Sequence, residues 1–582
     1  MLIDVAVPEM HLSSLTYECP VNISEGVRVI VSVYDHLHAG FVTGKTESRP
    51  DFEIKDIVGV IDTEGCIIPR DIWSMAMYAG RVCFCGAGAA LKAMLPKAIT
   101  DGEKIEPPPE IMSAQGTFHE RNYFNPFDEE RVNFFVNELE RPERTLMLFP
   151  TRESAKYFYT HLPKHIKSEA MLYVGGNKMF KSWMSAYTQQ SRIVIASPAG
   201  VFAPSSPERI IIEDEANPSY IIPYSLNISA RSLAGYRAKV LGAELITAGR
   251  MPSLKTYIRR FSEARPEQTI KPERKNIILA DIHNSRKEEI NGIEGNIPLT
   301  HTLMKRTYKI LSENHNVIWI LNRLGESSEV FCENCGHSVT CETCGRVMKS
   351  MNDGNILWCE TCRKSRELPL KCEKCGYTFF KGKRPGLDSL LEIVKKYYHD
   401  VHIYAEGSKK SEMHGLILST HRGLELCSKI KPELIAWLDL DMELWVQDYT
   451  TRYNIFSLLY ESYWRGRKRN SDRKILIQAR RSGMRLANYL SQGWEKFIPD
   501  ELKTREEYMQ PPYGYVLEIE CSKIKRGEIL NAFDEAGIFV MDPGDESQPL
   551  YVNVQSLDEV MNVHELFGIR SSNSLKITLR SE

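Results

Sequence analysis

The chain has almost no net charge, no long apolar run and no glycine-rich phosphate loop. Seventy-four Lys and Arg face 76 Asp and Glu, leaving a formal charge of −2 over 582 residues. That balance gives no overall basic footprint, so any contact with nucleic acid has to be local. No apolar stretch approaches the ~18 residues that a membrane span needs, so no membrane partner is expected. The N-terminus, MLIDVAVPEM, has neither a basic n-region nor a long apolar h-region, and a reducing, cytoplasmic location is expected. There is no repeat of fixed period and no low-complexity tract. A P-loop needs glycines whose N–H groups cradle phosphates, a Lys for the β/γ-phosphates and a Ser or Thr for Mg²⁺. The only Gly-Lys followed by Thr is Gly44-Lys45-Thr46, and the residue five places before Gly44 is Ala39, so it reads as a turn.

Cysteine, by contrast, is plentiful and patterned. Of 14 cysteines, eight fall as four C-x-x-C pairs, Cys332/Cys335, Cys341/Cys344, Cys359/Cys362 and Cys372/Cys375, with gaps of five, fourteen and nine residues. Each C-x-x-C turn offers two thiolates to one side of a tetrahedral Zn²⁺, so four pairs make two four-thiolate sites. Disulfides are disfavoured in a reducing compartment, and unligated thiols would not need the repeated spacing. The pairs could share metals sequentially, interleaved or nested. GRVMKSMNDGNILW reads as a hairpin around Asn352-Asp353-Gly354, which would bring the second and third pairs together and favours nesting. The other six cysteines, Cys19, Cys66, Cys83, Cys85, Cys427 and Cys521, read as small buried residues.

Residues 1–98 alternate apolar and polar in short runs and read as a β-rich module, closed by two helices in RDIWSMAMYAGRV and AALKAMLP. A Pro-rich, charged linker is expected at 99–111. From 112 to 265, apolar strands (RTLMLFP, AMLYVGG, SRIVIAS, RIIIEDEA, AELITAGR) alternate with helices, the pattern of a parallel α/β lobe. A second α/β set spans 266–330 and 381–504, with the cysteine module inserted at 331–380. Residues 505–582 read as a small α+β domain. Between Thr451 and Arg485, ten Lys or Arg meet only Glu461 and Asp472, a stripe that suits phosphate contact and equally suits a solvated face.

Two α/β lobes with an eight-cysteine insertion in the second, entered through WILNRLGESSEVFCENCG, resemble the primosomal protein N′ (PriA) family, the superfamily-2 helicase-like proteins of bacterial replication restart. The resemblance runs over nearly the whole chain. Residues 1–98 look like that family's DNA 3′-end-binding domain, and REEYMQPPYGY looks like its lead into the C-terminal domain. The resemblance implies two RecA-like lobes and nested zinc pairing: Cys332, Cys335, Cys372 and Cys375 for one ion, Cys341, Cys344, Cys359 and Cys362 for the other.

The departures are as informative. Where the family carries its phosphate loop, before RTLMLFP, this chain has SAQGTFHERNYF, with one glycine, Gly116. The family's Asp-Glu-Glu-His motif appears as Asp214-Glu215-Ala216-Asn217, making Asp214 and Glu215 remnants of a nucleotide and Mg²⁺ site. The following Ser-Ala-Thr motif is replaced by AGRMPSL. The last helicase motif, Q-x-x-G-R-x-G-R in the family, is ESYWRGRKR here, with Glu461 for Gln, Trp464 for Gly and Arg465 at the first finger position. The strip Tyr460, Tyr463, Trp464, Arg465, Arg467, Lys468 and Arg469 has the residue types for single-strand stacking and phosphate contact. In the N-terminal module, Leu15-Thr16 stand where the family has Phe-Asp, while Lys55 matches a basic position of its 3′-end pocket. No winged-helix segment stands between this module and the first lobe. Zinc module kept and motor motifs lost is how actinobacterial members of the family look.

The resemblance therefore implies a replication-restart protein that binds forked or single-stranded DNA, meets single-strand-binding protein and helicase-loading partners, holds two zinc ions, and works without ATP or Mg²⁺. A 3′-to-5′ helicase with an unorthodox nucleotide site, and a zinc scaffold that has left DNA, are the alternatives.

Overall fold

A computed structural model describes the chain except residues 9, 11–13, 48–52, 107–115, 176–178, 223–225, 262–268, 283–298, 323–326, 333, 336, 352–355, 360, 379, 385–386, 405–412, 445–447, 544–548, 568–574 and 582. The turn expected at Asn352-Asp353-Gly354 and much of the linker expected at 99–111 lie outside the described residues. The linker's first residues are helical, within Lys97–Thr100.

The N-terminal module is a five-stranded antiparallel sheet ordered Leu15–Glu18, Leu2–Ala6, His36–Thr46, Arg28–Val33, Gly59–Val60. Its alternating strands turn Ile3, Val5, Val29, Val31 and Val42 into one small core. Arg28–Val33 and His36–Thr46 are joined through Tyr34 and Asp35, both at positive φ (46° and 63°). That is a two-residue turn whose twist matches a β-hairpin.

Two helices follow, Arg70–Val82 and Gly86–Met94, and they do not stay with that sheet alone. Ile72, Met75, Ala79, Leu91 and Met94 share a continuous apolar core with Leu146, Ile210, Leu233 and Leu245 of the first lobe. Tyr78 stacks on Tyr236 with centroids 4.6 Å apart. Arg237, fully buried, donates through Nε to Asp71 at 2.7 Å and through an Nη to the carbonyl of Val201 at 2.8 Å. The module is fastened to the lobe by shared core and a buried ion pair.

The first lobe is a six-stranded parallel sheet ordered His119–Phe124, Glu244–Gly249, Arg209–Ile212, Thr145–Leu148, Ile193–Ala196, Ala170–Tyr173. Thr145–Leu148, Ile193–Ala196 and Arg209–Ile212 are buried at every position, as strands covered on both faces must be. The second half of the stretch that stands where a phosphate loop would be, His119–Phe124, is an edge strand, and the chain leaves it through Asn125–Phe127 into the helix Asp128–Leu139.

The second lobe repeats the plan: Ile277–Asp281, Lys474–Ala479, Leu434–Trp437, Val317–Ile320, Leu416–Ser419, Val401–Tyr404, all parallel. Between the strand Val317–Ile320 and the helix Leu387–Val394, the chain leaves the lobe to build a separate antiparallel sheet: Ser365–Glu367, Ile356–Trp358, Lys349–Met351, Ser327–Cys332, Phe380–Arg384. The cysteines sit on this excursion. The chain ends in a β-α-β-β-α-β unit whose sheet runs Val540–Met541, Leu550–Val554, Tyr515–Cys521, Leu575–Arg580. Among the described residues no helix is long and apolar enough to cross a membrane.

Candidate metal centres and interlobe cleft

Among the described residues, the inserted module has only a small apolar core. Its apolar core is Val330, Val339, Met348 and Leu357 with the thiols of Cys341, Cys359 and Cys362. Each cysteine pair forms the same turn. The N–H of the first cysteine donates to the carbonyl five residues on: Cys332 to His337, Cys341 to Arg346, Cys359 to Lys364 and Cys372 to Tyr377. After the second cysteine the backbone turns left-handed, at Gly345 (φ 69°), Gly376 (φ 71°) and Arg363 (φ 53°). Glycine meets that geometry freely; arginine does so against a Cβ clash of about 1–2 kcal/mol. Arg363→Gly is therefore expected to stabilise the module by about 1 kcal/mol. The check is its resistance to proteolysis, with the lobes as internal reference.

The strands Lys349–Met351 and Ile356–Trp358 pair antiparallel and carry the second and third pairs together. The result is two groups: Cys332, Cys335, Cys372 and Cys375, and Cys341, Cys344, Cys359 and Cys362, the sulfurs of each lying within 4.8 Å of one another. The sulfurs stand 3.4 Å apart for Cys332–Cys375, 3.7 Å for Cys335–Cys372 and 3.5 Å for Cys344–Cys359. Sulfurs about 2.3 Å from a central ion stand about 3.8 Å apart in a tetrahedron, so both clusters have the size of a four-thiolate metal site. Within each cluster one thiol is lowered and a neighbour raised: the N–H of His337 favours the Cys335 thiolate, but burial and the sulfurs of Cys375, Cys372 and Cys332 push it up to about 12, and burial raises Cys344. The N–H of Tyr377 pulls Cys375 down to about 6. Burial alone would raise Cys341, but the N–H groups of Cys344 and Thr343 bring it down to about 7. Four thiolates would close the coordination sphere of an ion held in either cluster, the arrangement of a structural rather than a catalytic ion.

The cleft between the lobes carries the other expected site residues except Lys55. Asp214 has a left-handed backbone (φ 51°), accepts from Asn217 at 3.1 Å and faces Arg250 at 3.5 Å. Glu215 is 2% exposed; it accepts the N–H of Ser253 at 2.6 Å and faces Arg231 at 3.6 Å. Burial and the Asp214 carboxylate push neighbouring Glu213 up to about 7. These carboxylates hold the loop after the strand Glu244–Gly249 in place, and protein cations already face them.

The expected DNA-contact strip requires correction. Trp464 is 3% exposed and Arg467 is 7% exposed, and Tyr460 and Tyr463 are fully buried. The helix Thr451–Trp464 is apolar on nearly every side because both lobes pack on it, so its aromatics are core rather than a stacking platform. Arg467 lies over Tyr463 at 4.2 Å and donates to the carbonyls of Ser471 and Arg473. Arg465 pairs with Glu461 on its own helix. Of the strip, Lys468 and Arg469 are exposed, and Arg469 pairs with Glu130 of the first lobe. Much of the basic stripe is likewise matched by acids outside it, Arg452 by Glu501 and Arg480 by Asp439. Lys55 is exposed at the end of the N-terminal sheet, 3.8 Å from Asp35 of the hairpin turn. Thr16 sits opposite Asp4 and donates to its carboxylate at 2.9 Å.

One residue of the cleft escaped the sequence reading. Asp128, first in the helix Asp128–Leu139, accepts from Arg131 and Arg250 at 2.7 Å each and from the N–H of Gly466 in the second lobe at 2.8 Å. The local signal was there. Asn125-Pro126 followed by Asp128-Glu129-Glu130 is a helix start, and Asn125 Oδ1 accepts the N–H of Phe127 at 2.9 Å. Nothing local announces a partner 338 residues away.

Comparison with known proteins fits this architecture. Residues 4–96 match the PriA family described as 3'DNA-binding domain (3'BD). Over 368 residues the chain is 22% identical to the Replication restart protein PriA of Bacillus subtilis, covering 59% of this chain and 45% of that protein. It is 25% identical to that of Helicobacter pylori strain 26695, covering 66% of this chain and 62% of the relative. It is 20% identical to that of Borreliella burgdorferi, covering 81% and 77%. The chain thus spans about half to three-fifths of the first two relatives' length. Among solved structures it is similar to RecG bound to a three-way DNA junction, at 8% identity and a TM-score of 0.35, covering 67% of this chain and 44% of that one.

Proposed function

We propose, from the chain's membership of the PriA family of replication restart proteins, that it binds branched DNA through its N-terminal module and docks restart partners, without a nucleotide-driven motor. The observation that carries the DNA part is the match of residues 4–96 to the 3'DNA-binding domain, on a sheet whose exposed end presents Lys55 and the Tyr34–Asp35 turn. The two cysteine clusters would each hold one Zn²⁺, whose chemistry here is to fix the fold of the module. The eight thiolates would supply all the ligands. That leaves the module's outer surface for partners such as single-strand-binding protein and a helicase loader.

The reading without a motor is supported by the cleft. Where a phosphate chain needs N–H groups and a lysine, the helix that opens onto the cleft begins with Asp128, Glu129 and Glu130. Asp214 and Glu215 already face Arg250, Arg231 and the N–H of Ser253, so they are read as remnants that do not hold Mg²⁺.

Fork binding should be salt-sensitive. Lys55→Ala is expected to weaken it on every sequence alike and to lower the slope of log K against log salt by about one contact. ATP turnover should be absent with and without fork DNA. Fork-stimulated hydrolysis abolished by Asp214→Ala would overturn the motor-less reading; a Lys55→Ala variant with unchanged affinity and slope would remove the N-terminal contact.

A further inference from the structure

We propose that the Asp128 carboxylate is a built-in anion of the interlobe cleft, seated where an external anion would bridge the lobes, so that they stay closed with no nucleotide bound. Three elements converge on it. Arg131 comes from its own helix, Arg250 from the loop after the strand Glu244–Gly249, and the N–H of Gly466 from the turn after the helix Thr451–Trp464. Two guanidiniums and a backbone N–H from the opposite lobe are a donor set that would suit a phosphate. Here a side chain fills it.

The electrostatics agree with full charge on that carboxylate. Burial would raise Asp128, but Arg250, Arg131 and the Gly466 N–H hold it well below the usual carboxylate range. Gly466 is fixed in turn: its φ is 67°, and a Cβ there would collide with the backbone of Cys427 and Ser428. Only glycine fits at the point whose N–H meets Asp128.

The seat is embedded in an interface with no room for a swinging cleft. Phe127 meets Trp464 edge-on at 5.1 Å, and Arg469 lies over Phe127 at 5.0 Å while pairing with Glu130. Tyr453 of the second lobe donates to the carbonyl of Pro252 in the first at 2.9 Å. Phe127, Ala216, Met251, Leu254 and Tyr257 of the first lobe belong to one apolar core with Phe456, Tyr460, Trp464 and Trp494 of the second. A motor opens and closes such a cleft in each cycle; this one is packed like an interior. The inference goes beyond the DNA role and stands without it, because the readout is the lobes' own motion with no DNA present.

Hydrogen exchange on the full chain tests it, with inorganic phosphate as the probe. In the unsubstituted chain, residues 127–131 and 465–469 should exchange slowly with nothing added, and millimolar phosphate should change nothing. In Asp128→Ala both segments should exchange about ten- to a hundredfold faster, the loss of a charge-assisted contact. Phosphate should then restore protection by taking the vacated seat. Asp128→Ser keeps a residue suited to a helix start and leaves the seat open, and it should give the same order of responses if the alanine variant does not fold. Exchange of the variants at the unsubstituted rate overturns the proposal. So does protection of the unsubstituted chain by phosphate, or a variant that opens and gains nothing from phosphate.

Discussion

Replacing Cys359 with Ser is expected to leave the chain with one zinc ion instead of two and an unfolded cysteine module. Cys359 is fully buried, its sulfur is 3.5 Å from that of Cys344, and it accepts the N–H of Cys362 at 3.4 Å. A serine hydroxyl at that point is neither soft nor ionised, so the site loses its ion. The consequence is large because little else orders the module. Four buried apolar side chains, Val330, Val339, Met348 and Leu357, contribute about 1.5–3 kcal/mol each. An ion in a comparable small site contributes about 10–16 kcal/mol of apparent binding free energy, more than those four side chains together. Elemental analysis should therefore fall from two metals to one per chain, and protease cuts should gather within 327–384. The lobes should survive. The strand Val317–Ile320 and the helix Leu387–Val394, where the module enters and leaves, are anchored in lobe cores that do not include the module's residues. Two metals retained in the serine variant would remove the four-thiolate assignment.

Asp71→Ala should be strongly destabilising. Asp71 is 2% exposed and Arg237 fully buried, and their 2.7 Å contact joins the helix Arg70–Val82 to the helix Ala230–Leu241 of the first lobe. Removing the carboxylate strands a guanidinium in the interior, at a cost of about 3–5 kcal/mol. One of its nitrogens, Nη2, already has no hydrogen-bond partner. Urea unfolding should show the first lobe and the N-terminal helices losing structure together, because they share one core. Asp71→Leu with Arg237→Met, which removes both charges and keeps bulk, should recover most of the loss. If Asp71→Ala alone proves neutral, the helices are held by packing and the ion pair is incidental. The metal content should not change in either variant, which separates this effect from that of Cys359→Ser.

Local pattern carried the lobes. RTLMLFP, SRIVIAS, LIAWLDLD and KILIQAR each became a buried parallel strand, because uninterrupted apolar runs between helices have one economical use. The cysteine spacing carried the clusters for a similar reason: a C-x-x-C turn is short-range geometry, repeated here with the same backbone hydrogen bond. Long-range burial was another matter. Trp464 and Arg467 have the composition of a nucleic-acid strip, but Trp464 is buried against Phe127 of the first lobe and Arg467 against Tyr463 and the carbonyls of its own turn. Composition records what a side chain can do, and packing decides which of those things it does.

The sequence by itself determined the two α/β lobes, the position of the inserted module and the eight candidate ligands, because each follows from periodicity or spacing over a few residues. The tertiary structure alone decided that the N-terminal helices belong to the core of the first lobe, and that Asp71 meets Arg237 and Asp128 meets Gly466. Those contacts join residues 166 and 338 positions apart, and their energy comes from charges paired out of water, which no local pattern encodes.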